Sequence, residues 1–359
     1  MRILHIVSSI GRDSGVMKFI MNYMPSMKKH NIHFDFLYWS EGTNSYCEEI
    51  LDNNGELFRI SKPNPSLESI RELSLFFKEY SNRYDAVHLH EAYLNLVIKF
   101  FMKKNDLNKL ITHAHTTKYS DNKSSALRNK ILCSTINITS DKKIACSKEA
   151  GKFYFGRSFE KQGQIVRNAI INNINKNQKN NIRNIYSLNN KTVYIHIGRF
   201  NAQKNHVFLI DVFYEIVKKD PNAVLLLIGE GPLKDNINKK VKDLKIKDKV
   251  IFLGLQKNVN DFLTISDAMI FPSIYEGLGI VMIEAQYVGL PIVCSEHIPN
   301  EAIINSNVFQ ISLNKSPEKW AEVIEEIKGK RASKEDYIEL DRLYNISNNI
   351  NGLLSIYKD

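Results

Sequence analysis

The feature that most constrains this chain is an alternation, sustained along both halves, of short apolar runs with longer amphipathic ones. Strand-like runs fall at Ile3–Ser8, His33–Tyr38, Asp85–His90, Leu110–His115, Lys143–Ser147 and Gln164–Arg167. Helix-like stretches lie between them at Val16–Lys29, Leu67–Tyr80, Tyr93–Lys103 and Ser147–Tyr154. The pattern resumes with strands at Thr192–Ile197, Ala223–Ile228, Val250–Leu253, Ala268–Phe271, Pro291–Cys294 and Val308–Ile311, and helices at Val207–Lys219, Leu233–Leu244 and Trp320–Lys328. Such alternation predicts an α/β protein with parallel sheets covered by helices on both faces.

A chain of 359 residues exceeds one ordinary core and suits two domains. Residues 168–190 hold ten asparagines and little apolar periodicity, the composition of an exposed connection. The expected division is a first Rossmann-like domain over 1–168, a linker over 169–190, a second Rossmann-like domain over 191–335 and a helical segment over 336–359. Whether that last segment docks on the first domain is left open by the pattern. Two doubly wound domains facing each other would enclose a cleft at the C-terminal ends of their strands, where ligands bind.

Composition excludes several classes. No run of about 18 apolar residues is present, so no membrane-spanning helix is expected. The start, Met1 to Val7, reads as a first buried strand, since it lacks the longer apolar core and small-residue cleavage site of a signal peptide. Cys47, Cys133, Cys146 and Cys294 form no C-x-x-C pair, which argues against zinc or redox motifs and suits a reducing cytoplasm. Net charge is +10, and residues 1–170 carry 25 Lys/Arg against 17 Asp/Glu. A basic first half attracts nucleic acid, an acidic ligand or an anionic membrane. No nucleic-acid motif accompanies it, which favours the last two; a generally lysine-rich composition would give the same excess.

The segment Glu276-Gly-Leu-Gly-Ile-Val-Met-Ile-Glu284 carries the most specific chemistry. It follows the strand Ala268–Phe271 and runs into a helix over Ile280–Gln286, with Glu284 expected about two turns in. Eight residues of helical rise span on the order of 12 Å, about a sugar joined through two phosphates to a ribose. Glycine leaves backbone N–H groups free to face an anion, and a carboxylate at each end can accept from hydroxyls. The segment reads as a nucleotide-sugar cradle. Gly198-Arg-Phe-Asn-Ala-Gln-Lys-Asn205 lies between a strand and a helix. There Gly198 permits close approach, and Arg199 and Lys204 offer positive charge to a diphosphate leaving group.

The first half adds two pieces. Ile10 to Val16 is a glycine-containing strand-to-helix loop without the G-x-G-x-x-G pattern; Gly15 is read either as a phosphate or acceptor contact or as a tight turn. Alternation puts His113 and His115 on one face, with no third metal ligand spaced nearby. His115, at the strand end, is placed to reach a substrate hydroxyl, while His88 and His90 read as structural or rim residues. No G-x-S-x-G elbow or P-loop is present.

Taken together, Gly198-Arg199, Lys204 and the Glu276…Glu284 pair resemble the signature of retaining glycosyltransferases of family 4, which have the two-domain GT-B fold. Phe19 to Tyr23, Phe34 to Leu37, His113 to His115, Ala145 to Ala150 and Glu284 to Gln286 resemble its capsular and exopolysaccharide branch. The resemblance implies a metal-independent hexosyltransferase (EC 2.4) with Glu276, His115, Arg199 and Lys204 catalytic. Arg199 and Lys204 would bind the donor diphosphate, Glu276 the sugar hydroxyls and Glu284 the ribose. Backbone groups of Gly277, Leu278, Gly279 and Ile280 would touch sugar or phosphate. His115 would contact the sugar near its anomeric centre, Gly15 would line the phosphate or acceptor side, and Leu255 is a donor contact by position. It implies a UDP-sugar donor, a lipid-linked glycan acceptor, no cofactor, no metal, no nucleic acid, and a cytoplasmic enzyme peripheral on the membrane. One departure is that Ser14-Gly15-Val16-Met17 stands where the family carries Gly-Gly and a nearby Glu. Two alternatives stand beside this reading, a GT-B nucleotide-sugar epimerase and a non-catalytic nucleotide-sugar-binding partner of a polysaccharide assembly complex.

Overall fold

A computed structural model describes residues 1–42, 44–120, 122–170, 179–256 and 258–359. The chain forms two compact units, Met1–Ala169 with Ile346–Asp359, and Ile170–Asn345. The first unit contains a seven-stranded parallel sheet: β1 (Arg2–Ser9), β2 (His33–Ser40), β3 (Leu57–Arg59), β4 (Ala86–Leu89), β5 (Leu110–Ala114), β6 (Lys142–Ala145) and β7 (Gly163–Ile165), in the order β3-β2-β1-β4-β5-β6-β7. The second contains six: β8 (Thr192–Ile197), β9 (Ala223–Ile228), β10 (Val250–Gly254), β11 (Ala268–Phe271), β12 (Ile292–Ser295) and β13 (Val308–Ile311), in the order β10-β9-β8-β11-β12-β13.

In each unit the sheet grows outward in one direction and then reverses. The reversals fall between β1 and β4 and between β8 and β11. Loops leaving the carboxyl ends of such a pair diverge to opposite faces and open a crevice, the usual ligand position in doubly wound sheets. Ile6 and Leu4 face one core with Val87 and Leu89 in the first unit. In the second, residues from alternate positions of β8 enter two cores, Val193 and Ile195 on one face and Tyr194 on the other. Burial on both faces explains why these strands read as nearly continuous apolar runs.

The expected connection over 169–190 lies partly, at 171–178, outside the described residues. Beyond it, Lys179–Ile185 is helical, and Ile182, Tyr186 and Leu188 pack on the second unit's core. The sparse apolar residues there suffice to dock a short helix, which asparagine abundance hid. At the other end, Lys334–Tyr344 is a helix of the second unit, Asn345 breaks it, and Ile346–Lys358 is a helix of the first. The strand β3 was not expected, because three residues are too few to show a period. No helix among the described residues is long and apolar enough to cross a membrane.

Candidate functional site

The second unit assembles a site at the β8/β11 crossover. β8 and β11 pair through Tyr194–Ala268 and Ile195–Met269, so their following loops leave side by side. The two loops are tied by backbone and amide: Ile274 N–H donates to Gln203 O at 2.8 Å, and Gln203 Nε2 donates to Tyr275 O at 3.0 Å. Asn201 Oδ1 accepts from Lys204 N–H at 3.2 Å and shapes the first loop. Between these tethers Lys204 Nζ meets Glu276 Oε1 at 2.6 Å, with 15% and 7% of their side chains exposed. The ammonium also lies 4.7 Å from the Phe271 ring centroid, a cation–π distance.

Glycines make this approach possible. A Cβ on Gly198 would stand 2.9 Å from the Lys204 chain, so a larger residue would displace the lysine. Gly279 has φ +81°, a conformation that side chains resist, and it starts the helix Ile280–Tyr287 without any side-chain cap. Met282 N–H donates to Gly279 O at 2.8 Å, and the N–H groups ahead of it are left for a ligand. The Cβ position of Gly279 is 3.7 Å from Glu276 Cγ, placing the helix start beside the carboxylate. Glu284 is buried on the same helix, just over one turn in rather than two, because Glu276 to Gly279 are loop and only Ile280 onward is helical.

Arg199 is exposed and its guanidinium pairs with no described residue. Leu255 follows β10 at the same carboxyl edge of the sheet. Beneath the loop, Phe200 stacks on His206 at 4.1 Å, and His196 Nδ1 bonds Ile270 O at 2.8 Å. Burial first, and the Lys204 charge next, pushes His206 down to about 4. Sequence reasoning passed over Gln203, Phe271 and His206, whose roles depend on contacts far along the chain. It also passed over Gly229 and Gly231, with φ +143° and +157°; their backbones pass so close to Gly198 and Phe200 that any Cβ would clash.

The first unit holds the remaining two expected residues. Gly15 opens the helix Gly15–Lys29, capped by Ser14, and its Cβ position has nothing within 4 Å. His113 lies within β5 and His115 just beyond it, their rings stacked at 3.8 Å. Pairing of β1, β4 and β5 brings three more histidines to them. His115 Nε2 bonds His90 Nδ1 at 2.7 Å, His90 Nε2 bonds His5 Nδ1 at 3.0 Å, and His88 Nε2 bonds His113 Nδ1 at 3.2 Å. His88 and His90 are therefore buried cluster members, not rim residues. A third imidazole does reach the His113–His115 pair, 25 residues away in sequence. Ring nitrogens of His5, His88 and His90, and of His90, His113 and His115, lie within 4.8 Å of one another, close enough to hold a metal ion. Burial pushes His5 and His115 down to about 3, so the cluster is neutral near pH 7.

Residues 178–342 match the family "Glycosyl transferases group 1". EpsF of Bacillus subtilis is 28% identical over 99% of this chain and 96% of its own length. The capsular polysaccharide biosynthesis glycosyltransferase CapH of Staphylococcus aureus is 26% identical over 91% of this chain and 90% of its own. The crystal structure of Anabaena Alr3699/HepE in complex with UDP and glucose superposes with a TM-score of 0.84, covering 100% of both chains at 15% identity, a likeness of fold. The second unit is thus similar to the group 1 glycosyltransferases over residues 178–342, and both units have the Rossmann-like architecture of GT-B type.

Proposed function

We propose that this glycosyltransferase is a retaining, metal-independent hexosyltransferase of family 4. It would move a sugar from a nucleotide diphosphate sugar, a UDP-sugar first, to a growing lipid-linked capsular or exopolysaccharide glycan. The observation that carries the reading is the Lys204–Glu276 pair at 2.6 Å beside an uncapped helix start. A cation and a hydroxyl-accepting carboxylate are adjacent there, as the phosphate and the sugar are adjacent in such a donor. Lys204 and the exposed Arg199 would neutralise charge building on the departing diphosphate, with the first-turn N–H groups adding donors. Glu276 would bind sugar hydroxyls, Glu284 the ribose, and His115 the sugar near its anomeric centre. Cations and helix dipole together do the work a divalent metal does elsewhere. The departing phosphate would take the acceptor proton on the face it leaves, which retains configuration.

CapH's role in capsular polysaccharide and the UDP and glucose held by HepE support the class of donor and product. A face of the first unit supports a peripheral membrane position and a lipid-linked acceptor. Leu96, Val97 and Phe100 on the helix Asn95–Lys104 and Leu127, Ile131 and Ile138 nearby are exposed. Asn95 joins the segments, donating to Leu132 O at 3.2 Å and accepting from Thr139 Oγ1 at 2.6 Å. Residues 92–104 and 122–140 contain six Lys/Arg and no Asp/Glu. Lys99 is buried against Asp141, and the exposed cations Lys103, Lys104, Lys123, Arg128 and Lys130 beside these apolar residues suit an anionic bilayer.

A donor screen tests the proposal: UDP-, GDP- and dTDP-sugars by thermal shift and by nucleotide release, with and without a lipid-pyrophosphate acceptor. Stabilisation by one donor and release that rises with acceptor are expected. Stabilisation without release would move the reading to the binding-partner alternative, and no stabilisation at all would remove the cradle.

A further inference from the structure

Five of the seven histidines of the first unit form two hydrogen-bonded rows. One runs His5–His90–His115 and the other Tyr357–His88–His113, with His88 Nδ1 at 2.7 Å from Tyr357 OH. Each row ends in a buried ring nitrogen without a partner, His5 Nε2 and His113 Nε2. A neutral imidazole carries one proton, so the state of one end dictates every ring along the row. A buried N–H left without an acceptor is the rarer defect, so the orphaned nitrogen of His5 carries the lone pair. His5 Nδ1–H then donates to His90 Nε2, and His90 Nδ1–H donates to His115 Nε2. The one proton left to His115 sits on Nδ1. Desolvation disfavours a charged ring anywhere in the row and keeps the count at one proton each.

We propose that His90 and His5 are positioning residues that lock His115 in its Nδ1–H tautomer, so that this half-buried ring presents a fixed hydrogen-bond donor to its ligand. The proposal rests on the reading of His115 as a sugar contact. A fixed donor suits a hydroxyl or ring oxygen, and it cannot act as a general base through that nitrogen. The second row, as deeply buried, makes no bond to His115 and serves as the internal control; Phe19 packs edge-on to His113 at 4.8 Å and to His115 at 5.7 Å, so packing alone treats both rows alike.

The test is long-range ¹⁵N–¹H correlation on the intact, ¹⁵N-histidine-labelled chain, which reads each tautomer without any variant. His5, His90 and His115 should all show Nδ1 protonated. Nε2–H on His115, averaged rings, or a stoichiometric metal ion bound by the cluster would each overturn the proposal. Isosteric variants separate positioning from packing. His90→Asn places an amide N–H where Nδ1–H stood and should keep both the tautomer and most of the turnover. His90→Asp supplies only an acceptor; it should invert His115 and lower kcat about tenfold or more with the donor KM little changed. His88→Asn should leave the His115 signals in place, and equal effects from His88 and His90 variants would refute a positioning role. If His115→Ala leaves transfer unchanged, the sugar-contact reading fails instead, while the tautomer measurement still decides the relay.

Discussion

Replacing Lys204 by Met removes one member of an ion pair that water barely reaches. At 2.6 Å and an effective dielectric of about 20, the gross attraction is roughly 6 kcal/mol, largely offset by the cost of desolvating both charges. The variant keeps the cost for Glu276, only 7% exposed, without its compensation. Loss of one partner of a buried pair typically costs 3–5 kcal/mol, and the 15% exposure of Lys204 puts this case near the lower end, about 3 kcal/mol. For a unit of this size that is a fall in Tm of roughly 6–12 °C. Glu276→Gln should cost less, about 1–2 kcal/mol, because the lysine can swing outward while its stem stays over Phe271. The double variant should recover part of the loss, with a coupling of about 2 kcal/mol. The assay is denaturant unfolding of the full chain and its three variants. Additivity within about 0.5 kcal/mol would refute the argument that the pair is energetically coupled.

Glu276→Ala should abolish sugar transfer while UDP still binds, measured by calorimetry beside turnover; unchanged turnover would remove its assigned role. Gly198→Ala should push Lys204 from its place, weaken UDP binding and lose part of the stability that the Lys204–Glu276 pair contributes; unaltered affinity would show that the lysine does not hold phosphate. Acid should destabilise the first unit: burial holds the five clustered histidines neutral, His5 and His115 down to about 3, whereas unfolded histidine titrates near 6.5. Stability present above pH 6.5 is therefore lost as pH falls toward 3, since the unfolded chain binds the extra protons. Two such groups alone cost about 3 kcal/mol per pH unit, and unfolding curves that coincide at pH 7.5 and 5.5 would contradict this. Phe100→Ser with Ile131→Ser should reduce co-sedimentation with phosphatidylglycerol vesicles, and high salt should do the same. Equal binding to neutral phosphatidylcholine would argue against the electrostatic part.

Much of the fold could be read locally. The strands around Ile3, Phe34 and Leu225 announce themselves by apolar runs, and the helices near Val16–Lys29 and Leu67–Tyr80 by their amphipathic period. Where local signals were thin the reading failed: at β3, at the helix Lys179–Ile185, and in the depth of Glu284 within its helix.

Periodicity is a property of near neighbours, and it sufficed to determine the α/β class, the two sheets and the loops holding Gly198, Lys204, Glu276 and Gly279. Strand order is decided by which long-range pairings bury the most surface, and no local window contains it. The contact between Lys204 and Glu276 joins residues 72 apart and exists because β8 and β11 became neighbours. In the same way β4 beside β1 and β5 turned scattered histidines into two hydrogen-bonded rows, with a fixed proton direction that no spacing in the chain encodes.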